Sequence, residues 1–304
     1  MGQTIDTRRI AIFLLFAFAI AWVTGLVIFL TGGLANNPLA IPLLATTYMG
    51  APALSHLLTR LLTREGWHDL FLRPRLRRGW TYWLLCWIAP GMLTVLGAAL
   101  FFLVLPQYYD PALGNVRKLL QQAASQTGQA GSVASVSPWT IVVAQTVQAI
   151  LIAPVLNGLP TLGEEFGWRA YLLPRLMPLG GRKAMLISGV IWGVWHWPVI
   201  AMGHNYGLSY PGYPWSGMLM MVWFTLIAGT FLGWATLRGG SVWPAVIGHG
   251  AINGIAALGI LLQHGQPNPL LGPTPVGLVG SLGFAVVALV IFTSPRALRL
   301  TMPA

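Results

Sequence analysis

Long apolar runs, separated by short gaps that carry arginines, constrain this chain more than any other feature of its sequence. Several runs reach or exceed about 18 residues, the length that a helix needs to cross a bilayer. Hydrophobic residues make up 56% of the 304 residues and charged residues only 8%, whereas soluble proteins carry about 25% charged residues. The sequence therefore predicts an all-α, polytopic membrane bundle that forms a single integral membrane domain over residues 1–304.

Eight of these runs are predicted to be membrane-spanning helices. The fourth is longer than the roughly 20 residues that cross a bilayer, and Asn157, Gly158 and Pro160 interrupt it. An interior proline removes a backbone hydrogen bond, so we expect this helix to be kinked or split there. The predicted spans are 10–31, 39–62, 81–105, 139–173, 182–201, 215–237, 241–263 and 275–293.

Basic residues fall into alternate gaps between these spans. If the N-terminus is cytoplasmic and each helix crosses once, fourteen of the 17 basic residues lie on the cytoplasmic side, and only Arg117 and Lys118 lie on the other. Cytoplasmic loops of membrane proteins carry such an excess of Lys and Arg. We therefore predict that both termini are cytoplasmic, in what we expect to be a bacterial inner membrane. The fourteen are Arg8, Arg9, Arg60, Arg64, Arg73, Arg75, Arg77, Arg78, Arg175, Arg182, Lys183, Arg238, Arg296 and Arg299.

The same topology accounts for the formal net charge of +11, so the lipid bilayer is an expected partner and nucleic acid is not. The single cysteine, Cys86, lies in an apolar run. One cysteine cannot form an intrachain disulfide, and redox chemistry is not expected.

Two of the six acidic residues, Glu164 and Glu165, are adjacent and lie in the fourth apolar span. A charged side chain at the bilayer centre costs at least about 2.5 kcal/mol, so such residues usually face a polar cavity and have partners. Arg169 follows Glu165 by four residues, which places the two on the same face of a helix. This pattern predicts a polar cavity within the membrane.

Two other apolar spans also carry polar side chains. His196 lies in the fifth span, with Trp192 one turn before it, and His249 and Asn253 lie four residues apart on one face of the seventh. Each could be an interhelical hydrogen-bonding group, but three such clusters are hard to explain by packing alone. Counting about 1.5 Å of rise per residue, we expect one cavity in the cytoplasmic half of the membrane.

These three motifs, in this order, resemble those of the CPBP intramembrane proteases. That family includes the type II CAAX prenyl endopeptidases and bacterial bacteriocin-processing or self-immunity proteins. The resemblance covers about residues 139–257, the predicted catalytic core, and Trp192 stands where the family usually has Phe. The matching residues are Glu164, Glu165 and Arg169 in EExxxR, His196 after the aromatic residue, and His249 with Asn253 in HxxxN.

The resemblance implies an intramembrane endopeptidase that hydrolyses a peptide bond of a membrane-embedded or lipid-anchored peptide or protein. Glu164 and His196 would activate water, and His249 with Asn253 would stabilise the oxyanion. Glu165 and Arg169 would orient the first motif.

A zinc cofactor is possible, because Glu164, His196 and His249 have the composition of a His2Glu catalytic zinc set. The sequence has no HExxH motif and no evident outer-sphere carboxylate for both histidines. Metal-independent hydrolysis is therefore favoured.

Two other functions remain open from the sequence. Buried ionisable residues are also typical of proton-coupled transporters, but the repeated halves and paired discontinuous helices of such proteins are not evident. A catalytically silent scaffold or immunity protein is the other alternative, and the presence of all six motif residues argues against it.

Overall fold

The computed structural model describes residues 4–127, 136–294 and 296–298. Within these ranges all regular secondary structure is helical, apart from one isolated bridge between Tyr109 and Gln263. The prediction of an all-α membrane bundle is confirmed. The longer helices are α1 (Thr7–Leu30), α2 (Met49–Leu62), α3 (Leu76–Val104), α4 (Gly114–Thr127), α5 (Pro138–Leu151), α6 (Gly158–Gly167), α7 (Gly181–Trp195), α8 (Trp215–Gly239), α9 (Trp243–Ile255) and α10 (Leu282–Thr293).

Several short helical segments link these helices or extend them. Most follow or contain a proline, which cannot donate the backbone hydrogen bond of a regular helix. The α-helical ones are Gly33–Asn36, Ala40–Leu43, Ala153–Leu156, Leu173–Leu176, Trp197–Ala201 and Leu258–Leu261. The π-helical ones are Leu44–Tyr48 and Trp168–Leu172, and the 3-10 helices are Pro106–Tyr108 and Met177–Leu179.

Four helices in the described part of the chain are long and apolar enough to cross a bilayer. They are α1, α3, α8 and the stretch Trp243–Leu261, which contains α9. The other four predicted spans are present as shorter or interrupted apolar helices, since π turns and prolines break the second, fourth and fifth of them. The protein is therefore an integral membrane helical bundle in which several of the predicted spans are not single regular helices.

The helix ends gather on two opposite faces of the bundle. We call one of them the arginine-rich face. Its segments contact one another: Arg9 and Arg175 both pair with Glu65, and Arg182 Nε donates to the Phe292 carbonyl over 2.9 Å. It comprises residues 4–9, 60–78, 174–183, 238–242, 294 and 296–298.

The opposite face is held together by its own contacts. The Asp110 backbone N–H donates to the Leu262 carbonyl over 2.9 Å, and Tyr206 Oη donates to the Val276 carbonyl over 3.0 Å. Of the basic residues that the structure describes, thirteen lie at the arginine-rich face and two at the opposite face, while Arg299 lies outside the described residues. The opposite face comprises residues 31–39, 105–127, 202–214 and 262–281.

The fourth predicted span is split, which is one of the two outcomes, a kink or a split, that its sequence predicts. It breaks at Ile152 and again at Asn157, between α5, the short helix Ala153–Leu156 and α6. The break lets Asn157 Nδ2 donate to the Gly250 carbonyl over 3.0 Å, and Thr161 Oγ1 donate to the Val246 carbonyl over 3.0 Å. These bonds fasten the start of α6 to α9.

Helix α6 also lies unusually close to α2, and glycine makes this approach possible. A Cβ atom at Gly167 would lie 2.5 Å from the Pro52 carbonyl oxygen, and one at Gly163 would lie 2.6 Å from the Met49 carbonyl oxygen. Backbone atoms cannot yield as a flexible side chain does, so the two helices would have to separate.

We predict that Gly167→Ala destabilises the protein by about 1–3 kcal/mol, the usual cost of overpacking. Gly50→Ala is the matched control, because a Cβ there meets nothing within 4 Å and replacing a helical glycine by alanine gains up to about 1 kcal/mol. Thermal unfolding in detergent should show a lower midpoint for the first variant only. Equal midpoints for the two variants would contradict the close packing of α6 on α2.

Candidate active site

The acid pair lies near the end of α6, immediately before a π-helical turn. Glu164, Glu165 and Arg169 are 2%, 0% and 2% exposed, respectively. Arg169 lies within the π turn Trp168–Leu172, and its Nη1 donates to Glu165 Oε1 over 3.0 Å. Short π segments within helices occur often at functional sites. The ion pair expected from the four-residue spacing is present.

Glu165 has a second partner that the sequence did not indicate. His249 Nδ1 lies 2.8 Å from the same oxygen, Glu165 Oε1. One carboxylate oxygen therefore accepts from a guanidinium group of its own helical segment and from an imidazole of α9. Because all three side chains are buried, this contact fixes the position of α9 relative to the acid pair.

Trp192 of α7 contacts Glu164, Arg169 and both histidines of the site. Its indole Nε1 donates to Glu164 Oε2 over 2.7 Å, and the Arg169 guanidinium carbon lies 3.8 Å from the centre of its ring. The His249 ring meets it edge-on at a centroid distance of 5.4 Å. From the sequence we predicted Trp192 only as a departure from phenylalanine, and its hydrogen bond to Glu164 was missed. The available signal was an indole N–H one turn before His196, in a helix expected to face buried acids.

The two histidines are held through the same ring nitrogen. His196 Nδ1 lies 2.7 Å from the Trp192 carbonyl, which can only accept, so Nδ1 carries the proton. His249 Nδ1 meets the Glu165 carboxylate, so it too is assigned a proton. In both residues Nε2 is left available to a molecule in the cavity.

The four predicted catalytic residues line one cavity of about 310 Å³. Glu164 comes from α6, His196 from the turn between α7 and Trp197–Ala201, and His249 and Asn253 from α9. The supporting pair Glu165 and Arg169 lies behind this wall and does not line it. Among the described residues, Glu164 and His196 share no direct hydrogen bond and are connected through Trp192.

The cavity lies in the half of the bundle next to the opposite face. We predicted the half that adjoins the basic connections, and that prediction was wrong. His204 and Asn205 of the loop 202–214, and Pro275 and Val276 of the loop 262–281, belong to the cavity wall. The rise per residue along a single helix gives the depth of a polar residue in the membrane. It does not show towards which face of the bundle the cavity beside that residue extends.

The donor atoms do not form a metal site as they are positioned. Within residues 4–127, 136–294 and 296–298, no three His, Cys, Asp or Glu side chains come close enough together to hold a metal ion. Glu164 already accepts from the Trp192 indole, and His249 faces Glu165. Glu164, His196 and His249 are therefore not gathered around one point in this arrangement.

The site therefore combines two buried carboxylates and two histidines at one cavity in a membrane bundle. Residues 138–255 match the family described as type II CAAX prenyl endopeptidase, Rce1-like. The match runs from α5 to the end of α9 and contains all six motif residues, so the resemblance predicted from the motifs is confirmed. At the level of the family it supports a CAAX-type intramembrane protease. A comparison with curated proteins finds no match.

The two adjacent acids should differ in what they do for the fold. We predict that Glu165→Gln destabilises the protein by about 3–5 kcal/mol, since it leaves Arg169 buried without its counter-ion. Glu164→Gln is the matched control and should change stability much less, because its indole partner can still donate to an amide oxygen and no buried cation loses its counter-ion. Thermal unfolding of both variants measures the difference. A larger loss for Glu164→Gln would contradict this division.

Proposed function

We propose that this protein is an intramembrane endopeptidase that cleaves a peptide bond of a membrane-associated peptide or protein. The observation that supports this function most strongly is the convergence of Glu164, His196, His249 and Asn253 on one buried cavity. The family match over residues 138–255 points to the same chemistry. The apolar surroundings suit a substrate that is itself held in or at the bilayer.

Glu164 is proposed as the general base. Its carboxylate is sheltered from bulk solvent and faces the cavity, where it can hold a water molecule and take one of its protons. His196 Nε2, as the free acceptor of a ring fixed through Nδ1, can accept a hydrogen bond from the other proton of that water. The water oxygen then forms a bond to the carbonyl carbon, and the carbonyl π electrons move to its oxygen. When the C–N bond breaks, Glu164 returns its proton to the leaving amine.

His249 and Asn253 are proposed to stabilise the negative oxygen of the tetrahedral intermediate. The Asn253 side-chain N–H groups can donate to it directly. His249 can donate only through Nε2, and the Glu165 carboxylate, 2.8 Å from Nδ1, fixes the ring so that Nε2 is the nitrogen left to a molecule in the cavity. Glu165 is thus a positioning residue that acts through His249, and Arg169 holds it in place.

Cleavage should depend on the groups that face the cavity. We predict that Glu164→Gln abolishes it, and that Asn253→Ala lowers kcat by about 100-fold, as expected for loss of one oxyanion donor. The measurement is a comparison of the membrane proteomes of cells that express the wild type or Glu164→Gln, scored for new peptide termini. Unchanged termini, with both proteins folded, would contradict the endopeptidase and favour a silent scaffold or immunity protein.

Trp192 offers a finer test of the site. We predict that Trp192→Phe lowers kcat by about 10- to 100-fold, because it removes a hydrogen bond to a carboxylate worth about 1.5–3 kcal/mol while keeping an aromatic ring. Trp168→Phe is the matched control: Trp168 is fully buried beside the same motif, and its Nε1 has no hydrogen-bond partner in the described part of the chain. Equal cleavage rates for both variants would show that the indole N–H does not position Glu164.

A further inference from the structure

The two faces of the bundle differ in what lies between them and the active site. On the side of the arginine-rich face the bundle holds paired charges: Arg60 is 2% exposed, and the Glu65, Arg175 and Arg9 side chains are 10%, 16% and 35% exposed. Arg60 donates from Nε to His56 Nε2 and from Nη1 to the Gly66 carbonyl, both over 2.7 Å. Glu65 binds Arg9 and Arg175, and Arg175 stacks on the Tyr171 ring. A peptide entering from this face would have to break this network.

On the other side, a second and larger cavity adjoins the active-site cavity. It measures about 630 Å³, and its wall is made by the loops 202–214 and 262–281 together with Tyr108 and Ile260. Asn205 lines both cavities, and the walls continue from Thr274 of the larger one to Pro275 of the smaller one. We call the larger cavity the vestibule.

The vestibule is neutral and rich in amide groups. Among the described residues that line it, none is acidic, basic or a histidine. Asn205, Gln263 and Gln266 contribute carboxamide side chains, which can both donate and accept hydrogen bonds. Such a surface suits the backbone of an extended polypeptide whose side chains are uncharged.

The charge distribution relates these faces to the two sides of a membrane. Thirteen of the described basic residues lie at the arginine-rich face, and two lie at the face that carries the vestibule. Since cytoplasmic segments carry the excess of Lys and Arg, the arginine-rich face is cytoplasmic. The vestibule then opens on the other side of the membrane.

We propose that the active site receives its substrate from the extracytoplasmic side, as an uncharged, extended segment of an exported or outwardly anchored polypeptide. This inference rests on the proposed function for the cleavage itself. The orientation on which it depends can be measured without any cleavage, so the two can fail separately.

The orientation of the protein in the membrane can be measured with single-cysteine variants. Cys86, the only native cysteine, is fully buried, so the unmodified protein is the unlabelled control. Leu208 in the vestibule and Trp67 at the arginine-rich face are 59% and 53% exposed. In right-side-out membrane vesicles, a membrane-impermeant maleimide should label Leu208→Cys at once, and Trp67→Cys only after detergent is added. The reverse pattern would overturn the proposal.

The same two variants test the route of entry. A bulky maleimide adduct on Leu208→Cys should lower cleavage of the substrate found by proteomics by about tenfold or more, because it fills the cavity through which the peptide passes. The adduct on Trp67→Cys should leave cleavage unchanged. Full cleavage by the labelled Leu208→Cys protein would exclude the vestibule as the route. Absence of cleavage by the unlabelled wild type would instead refute the proposed function, while the labelling pattern still reports the orientation.

Discussion

The active site depends on one buried carboxylate oxygen, Glu165 Oε1, which is shared by Arg169 and His249. A buried charge is tolerated only when it is paired and hydrogen-bonded. Arg169 is fixed in turn by the Trp192 ring at 3.8 Å, and Trp192 holds Glu164 through its indole N–H. Three helical segments that are far apart in sequence are thereby held in one arrangement. Any change that neutralises Glu165 therefore affects the proposed catalytic groups, although Glu165 does not line the cavity.

This arrangement requires helices that are not regular. A Cβ atom at Gly250 would lie 2.7 Å from the Pro154 carbonyl oxygen, so the broken fourth span approaches α9 at a distance that only glycine permits. The breaks at Ile152 and Asn157, and the π turn after α6, bring the acid pair to a depth and direction that one straight helix would not give it. The same irregularity leaves only four of the predicted spans, within the described residues, as helical stretches long and apolar enough to cross a bilayer.

The features that could be predicted from the sequence are those set by local spacing. Apolar runs indicated the helices, and the four-residue interval between Glu165 and Arg169 indicated their ion pair. The contacts that complete the site join residues far apart in the chain: Glu164 to Trp192 across 28 positions, and Glu165 to His249 across 84. No helical period encodes such contacts, because they result from the packing of whole helices. The direction in which the cavity extends was predicted wrongly for the same reason. The loops 202–214 and 262–281, which are distant in sequence from most of the motif residues, form the part of its wall next to the opposite face.

The residues that bias the orientation also close one face of the site. Arg9, Arg60 and Arg175 belong to the positive excess that is typical of a cytoplasmic face. Arg9 and Arg175 also pair with Glu65, and Arg60 donates to His56 and to the Gly66 carbonyl. These contacts form one network at the arginine-rich end of the bundle. The same side chains therefore contribute both to the charge excess that would orient the protein in the membrane and to the contact network at this end of the bundle. Removing these charges to invert the protein would also disrupt this network, so the proposed orientation and the stability of the fold depend on the same side chains.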